Sequence, residues 1–236
     1  MKKIISFSLV VGLLFTVLAT QSGSVARAQG PGFVSSLYSR MEKSQRSLKS
    51  LRANISMVKY NAQLRDEDKY QGIVLYIPGA NGSSSAFVKL EWTQPQHEIL
   101  SVMNGLYSLY RPRTGTVIEG KTAGINKNSK DGDVLALMNM SAAQLRTRFG
   151  EPTDMRDETL WGGVETQHLK VTPKTAASYK YIELWVDKEG MPVQTKMVEK
   201  NDDSTTVRLM NVERNQNIPL DQFKLKLDGN VKHIKG

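Results

Sequence analysis

Ala86-Phe87-Val88-Lys89-Leu90-Glu91-Trp92-Thr93, residues 86–93, decides the fold class. Val88, Leu90 and Trp92 occupy every second position, with Lys89 and Glu91 between them. That is the period-two pattern of a strand with one buried face. Gln94-Pro95-Gln96 then turns the chain. His97 to Met103, Leu106 to Arg111 and Thr116 to Glu119 follow as three short strands. Their separators, Asn104-Gly105 and Pro112 to Gly115, are hairpin-turn material. Upstream, Ala53, Ile55 and Met57 alternate in the same way, and Asp66-Glu67-Asp68 supplies a charged turn. Ile73, Leu75 and Ile77 mark a further strand, ended by Pro78-Gly79 and the turn-rich Asn81 to Ser85. Six strands with short connections predict an antiparallel meander.

Helical spacing brackets and interrupts this rhythm. Phe33 to Lys49 reads as an amphipathic helix, with Phe33, Leu37, Met41 and Leu48 among polar residues. Asp133 to Met138 and Ser141 to Phe149 read as two short helices, Ser141 as an N-cap and Gly150 as a stop. Strands then return at Glu165 to Thr172, Lys180 to Asp187, Val193 to Asn201 and Thr205 to Glu213. A short strand at Lys224 to Leu227 follows the Pro219 to Phe223 turn. No internal repeat is present. A long sheet with one greasy face must curl and be covered. The expected fold is α+β: an incomplete antiparallel β-barrel, or half-barrel, with a helical lid and an N-terminal helix.

The N-terminus carries Lys2 and Lys3, an apolar run from Ile4 to Leu18, and the small-x-small site Ala26-Arg27-Ala28. This is the layout of a secretory signal peptide cut before Gln29, so residues 1–28 are excluded from the fold. The apolar run is shorter than the roughly 20 residues of a spanning helix. Residues 29–236 are then one domain, expected outside the cytoplasm. The chain has no cysteine, so no disulfide holds it and no lipidated cysteine tethers it. Removing Lys2, Lys3 and Arg27 takes the net charge from +9 to +6. The positive charges are spread along the chain without interleaved stacking aromatics, which argues against nucleic acid as a partner.

No catalytic set emerges. His97, His168 and His233 are scattered, so no zinc spacing is present. Asp66-Glu67-Asp68 and Asp131-Gly132-Asp133 do not continue into a calcium loop and read as solvated turns. There is no Gly-x-Ser-x-Gly elbow, and Asn81-Gly82-Ser83-Ser84 lacks a phosphate-loop lysine. Glu91 and Glu98 have nothing in sequence to perturb either carboxyl. The expectation is a protein that is not an enzyme and uses no metal or cofactor.

Five stretches together carry a resemblance. Phe87 to Pro95, Glu98-Ile99-Leu100-Ser101-Val102 and Asn104-Gly105-Leu106-Tyr107-Ser108-Leu109-Tyr110 form the first half of the pattern. Leu184-Trp185-Val186-Asp187 with Gly190-Met191-Pro192-Val193, and Asn215, Pro219, Phe223 and Gly229-Asn230-Val231, form the second. In order and spacing they resemble the outer-membrane lipoprotein carrier family, LolA, across most of residues 33–234. The resemblance implies an open β-barrel with a helical lid in the periplasm. It also implies acylated lipoproteins as cargo, an inner-membrane ABC transporter as donor and an outer-membrane acceptor. In that family a strand arginine bonds to the lid. Lys89 falls at that place, with Leu90 where an aromatic follows, so Lys89 is the candidate latch. Lysine lacks the planar fork of arginine.

Transport of this kind needs a greasy cavity and no covalent step. The candidate lining is Ile73 and Leu75; Val88, Leu90 and Trp92; Leu100 and Val102; and Leu184, Val186, Met197 and Leu209. Met57, Met138 and Met140 are candidate adaptable lid contacts. A monomer is expected. Alternatives on the same fold are a carrier of another lipid or glycolipid, as in LppX-type proteins, and a sensor of the RseB type, which has a second domain.

Overall fold

The computed structural model describes residues 31–79, 86–122, 131, 132, 134, 136 and 140–236. The signal segment 1–28, the Asn81 to Ser85 turn and Met138 lie outside them. Helix α1 spans Pro31–Ser47. Strands β1 (Leu51–Asn61), β2 (Asp66–Ile77), β3 (Phe87–Gln94), β4 (Glu98–Met103), β5 (Leu106–Arg111) and β6 (Thr116–Lys121) form the meander. Helix α2 is Ala142–Arg148, its N-cap Ser141 accepting from the Gln144 amide. Strands β7 (Thr153–Leu160), β8 (Val164–Val171), β9 (Tyr179–Asp187), β10 (Pro192–Glu199) and β11 (Ser204–Arg214) follow, and β12 (Lys232–Lys235) ends the chain.

All twelve strands join one open sheet in the order β12-β6-β5-β4-β3-β2-β1-β11-β10-β9-β8-β7. The two meanders meet where β1 pairs with β11, Ile55 opposite Leu209 and Met57 opposite Val207. β12 and β7 are the edges, so the sheet does not close, and the α+β half-barrel is the observed architecture. Every pairing is antiparallel except that of β12 with β6.

Cross-strand partners point to the same side, so the register traces each face. One face runs from Leu169 through Leu184, Thr195, Val207 and Met57. It continues through the pairs Val74–Leu90, Leu90–Leu100, Leu100–Leu109 and Leu109–Ile118. This inner face carries two apolar clusters. The first gathers Ala53, Ile55, Met57, Val74, Val88, Leu90, Trp92, Leu100, Val102 and Leu209 with Val134 from the segment above. In the second, Leu37, Tyr38 and Met41 of α1 and Ala142 and Leu145 of α2 pack on Leu169, Val171, Leu184 and Val186.

Helix α1 is docked by a glycine. Gly190, at φ +89°, lies where an added Cβ would fall 2.4 Å from the Arg40 carbonyl carbon of α1. Only a residue without a side chain lets the β9–β10 turn meet the helix backbone. Asp187 shapes that turn: its Oδ1 accepts from the Glu189 amide at 3.0 Å and the Met191 amide at 2.9 Å. Its other oxygen takes Arg214.

The chain after β11 crosses the outer face. Ile218 and Phe223 pack on Leu75, and Leu225 and Val231 pack against Ile99, Tyr110 and Val117. Ser101 Oγ donates to the Phe223 carbonyl at 2.6 Å. The expected strand at Lys224 to Leu227 is corrected: this stretch forms no ladder, and the pairing strand is β12. Leu225 has an apolar contact that yields alternation without hydrogen-bond partners. Strand β7 has no counterpart in the sequence reading.

Candidate functional site

The site is the inner face of β1–β5 and what lies over it. Asp131, Gly132, Val134 and Ala136 are helical, and Val134 is buried on the first cluster. This segment overlaps the expected Asp133 to Met138 helix and forms the cover. A buried polar contact ties it to the sheet: Trp92 Nε1 donates to Asp131 Oδ1 at 2.8 Å. Trp92 is 0 % and Asp131 6 % exposed. A hydrogen bond to a charged group contributes about 1.5–3 kcal/mol, and an indole N–H left buried and unpaired costs about 1–3 kcal/mol. The contact therefore favours the packed position of this segment.

The strands position Trp92 through local packing. Its cross-strand partner on β2 is Gly72, at a register shift between Gln71 and Gly72. Tyr70 meets the indole edge-on, with ring centroids 5.8 Å apart. Tyr76, on the same face, has its phenol pushed above the ordinary tyrosine range by burial. Leu90 is 0 % exposed beside it, so the apolar face is closed over in this structure.

Beyond Trp92 the same face opens. Glu98 is the β4 partner of Trp92, and Arg111, Thr116 and Ile118 continue the inner side of β5 and β6. These residues line a hollow of about 470 Å³ together with Arg113, Thr114 and Ile234. Ligand pockets fall in the range of about 300–1,000 Å³. Glu98 accepts from Arg111 Nε at 2.9 Å.

The candidate lining residues divide three ways. Val88, Leu90, Trp92, Leu100, Val102 and Leu209 converge in the first cluster. Leu184 and Val186 lie in the second, with Met197 against it, beneath α1 and α2. Ile73 and Leu75 are corrected. They face outward, Ile73 being 43 % exposed and Leu75 packed under Phe223, while Val74 and Tyr76 point inward.

Lys89 as latch is corrected as well. Its partners are Leu75 on β2 and Ser101 on β4, which puts it on the outer face beside the Phe223 segment. Among the described residues, Trp92–Asp131 is a contact that joins the sheet to the cover. Of the suggested lid methionines, Met57 lies in the floor of the first cluster and Met140 packs beside α2.

The sequence reading missed Val74, Tyr76 and the contact of Asp131 with Trp92. The run Ile73 to Ile77 is apolar at every position, so alternation could not separate the first pair from its neighbours. No local signal links Asp131 to a strand residue 39 positions away. Among the described residues, no three His, Asp or Glu side chains gather as a metal set. His168 is buried on the outer face, its Nδ1 2.9 Å from the Asp154 carbonyl and its ring 4.7 Å from Trp185.

Residues 146–226 match the family of outer membrane lipoprotein carrier protein LolA. No curated protein matches the chain. Among solved structures, MucB aligns with a TM-score of 0.55 at 12 % identity, over 86 % of this chain and 66 % of that one. The Pseudomonas aeruginosa MucA/MucB complex aligns with 0.50 at 14 %, over 82 % and 61 %. A conserved protein from Thermus thermophilus aligns with 0.53 at 12 %, over 86 % and 99 %. The chain thus spans less than two thirds of the MucB chains it matches, 61 % of one and 66 % of the other. At these identities the likeness is one of fold. Residues 146–226 are therefore similar to the LolA family, and the open sheet is a fold that this chain shares with these solved structures.

Proposed function

We propose that this protein is a periplasmic carrier that shields the acyl chains of lipoproteins, or of another acylated molecule, beneath the Asp131 cover. Residues 1–28 direct export and are removed, leaving residues 29–236 as one carrier domain. Cargo arrives from an inner-membrane ABC transporter and leaves to an outer-membrane acceptor. One observation carries this reading: a continuous apolar face under a short cover, with Val134 and the buried Trp92–Asp131 contact joining the two. Each methylene moved from water to such a face contributes about 0.8 kcal/mol, so a lipid tail needs no covalent capture. Transport requires a closed and an open state separated by only a few kcal/mol. A short cover with a buried polar tie supports such a balance. The reading assigns the protein no enzymatic step, metal or cofactor, and a monomer suffices for it.

A second reading rests on the fold shared with MucB, which is solved in complex with MucA. In it, the cup recognises a protein partner. Titrating residues 29–236 with a fluorescent fatty-acyl probe and a triacylated peptide separates the two. Carriage predicts saturable, mutually competitive binding. The absence of saturable binding by both ligands would overturn it and favour the partner reading. Native mass spectrometry of protein purified from its own envelope identifies the cargo directly.

A further inference from the structure

We propose that the 470 Å³ hollow beside Trp92 is a headgroup subsite for a phosphate or carboxylate anion joined to the acyl chain. This inference rests on the carrier reading and names the cargo class: an anionic amphiphile. The hollow sits on the inner face at the end of the sheet where the β3–β4 and β5–β6 turns lie.

Two guanidinium groups line it, Arg111 and Arg113, with the hydroxyl-bearing Thr114 and Thr116. Arg111 spends its Nε on Glu98. Among the described residues its two terminal nitrogens have no hydrogen-bond or ion-pair partner, and neither has the Arg113 guanidinium. The planar guanidinium fork matches carboxylate and phosphate oxygens, which makes a pair of them an anion clamp.

The same hollow has an apolar side. Ile118 and Ile234 line it, and the register carries Ile118 on to Leu109, Leu100 and Leu90. Polarity therefore runs one way along the face, from cations at the rim to fully buried leucine and tryptophan within. A free anion would use only the rim and a neutral chain only the interior. A ligand that carries both groups uses the whole gradient. Glu98, 9 % exposed, neutralises part of the rim and tempers its affinity.

The test is calorimetry on residues 29–236 with three ligands below micellar concentration: dodecyl phosphate, monododecanoyl glycerol and inorganic phosphate. The expected result is at least a tenfold preference for dodecyl phosphate over the neutral lipid, with inorganic phosphate far weaker. Arg113→Glu, in an exposed turn, should cut that preference below threefold and leave the melting temperature unchanged. Glu98→Gln should raise dodecyl phosphate affinity severalfold by releasing Arg111. Equal binding of the two amphiphiles, or a preference that survives Arg113→Glu, would overturn the headgroup site alone. Inorganic phosphate binding as tightly as dodecyl phosphate would overturn the link to an acyl chain. Failure of both amphiphiles to bind would overturn the carrier reading too.

Discussion

The β8–β9 half and the β1–β4 half of the inner face share one sheet and one apolar chemistry, yet they are covered in different ways. Over β8 and β9 lie two helices, α1 and α2, which bury Leu37, Met41 and Leu145 against Leu169 and Leu184. Gly190 brings α1 into backbone contact with the sheet. Over β3 and β4 the described cover is a short segment with Val134 as its buried apolar residue and Trp92–Asp131 as its polar tie. A cover with many apolar anchors behaves as core. Under the proposed carrier role, the β8–β9 half would supply stability and the β1–β4 half exchange, through an opening of a few kcal/mol.

The most forceful way to break this division is to cut the permanent cover. Leu145→Ala removes a fully buried side chain between α2 and the sheet, and should lower unfolding free energy by about 2–5 kcal/mol. Urea denaturation measures this, and acyl-probe affinity should stay unchanged at temperatures where the variant is folded. A large loss of probe affinity would mean that the guest lies under α1 and α2, against the division drawn here.

Leu75→Ala should cost somewhat less, still about 2 kcal/mol or more, since the residue is 7 % exposed beneath Ile218 and Phe223. It too should spare probe binding, because it faces outward. The paired variant Val74→Ala, one residue away on the inner face, should weaken the probe. Swapped outcomes would reverse the assignment of faces.

β2 also shows how far the sequence could be read. In β1 and β3, alternation identified the inward residues because polar neighbours marked the other side. In β2 the run Ile73-Val74-Leu75-Tyr76-Ile77 is apolar at every position, and the C-terminal segment covers Leu75 and Ile77 on the outer face while the cup covers Val74 and Tyr76 on the inner one. Parity is unreadable in a strand buried on both faces. β7 escaped for the opposite reason: Thr153-Asp154-Met155-Arg156-Asp157-Glu158 is an edge strand dressed in charge, and charge protects edges. β12 is short and exposed, and pairs only at the other edge. The site was legible as a greasy face. The Trp92–Asp131 contact was not, because Asp131 in sequence is one acidic turn among several, and only folding brings it to Trp92.

Asp131→Ala sharpens the comparison from the other side. It takes this acceptor away from the Trp92 indole N–H, at about 1–3 kcal/mol. Much of that cost falls on the closed cover, so stopped-flow association of the acyl probe should accelerate, about five- to tenfold, while global stability changes little. Asp131→Asn keeps an acceptor oxygen and should retain slower uptake. Equal rates in all three proteins would remove the latch from the mechanism.

The smallest effect concerns how the permanent cover is trimmed at its surface. Glu42 of α1 is hydrogen-bonded and ion-paired to Arg146 of α2, and this contact holds its carboxyl below the usual glutamate range. A depressed carboxyl adds stability above its unfolded value of 4.5 and loses it as pH falls through the lower folded value. Because Glu42 lies at the solvent boundary, the gain is screened and small. Arg146→Gln should therefore be slightly less stable than the parent at pH 7, with the two denaturation curves converging as pH falls below 4.5 and through the lower folded value. Acyl-probe kinetics should not follow that convergence. If uptake quickened in step with the loss of the Glu42–Arg146 pair, α1 and α2 would themselves be moving parts, and the boundary between fixed and mobile cover would shift towards β9.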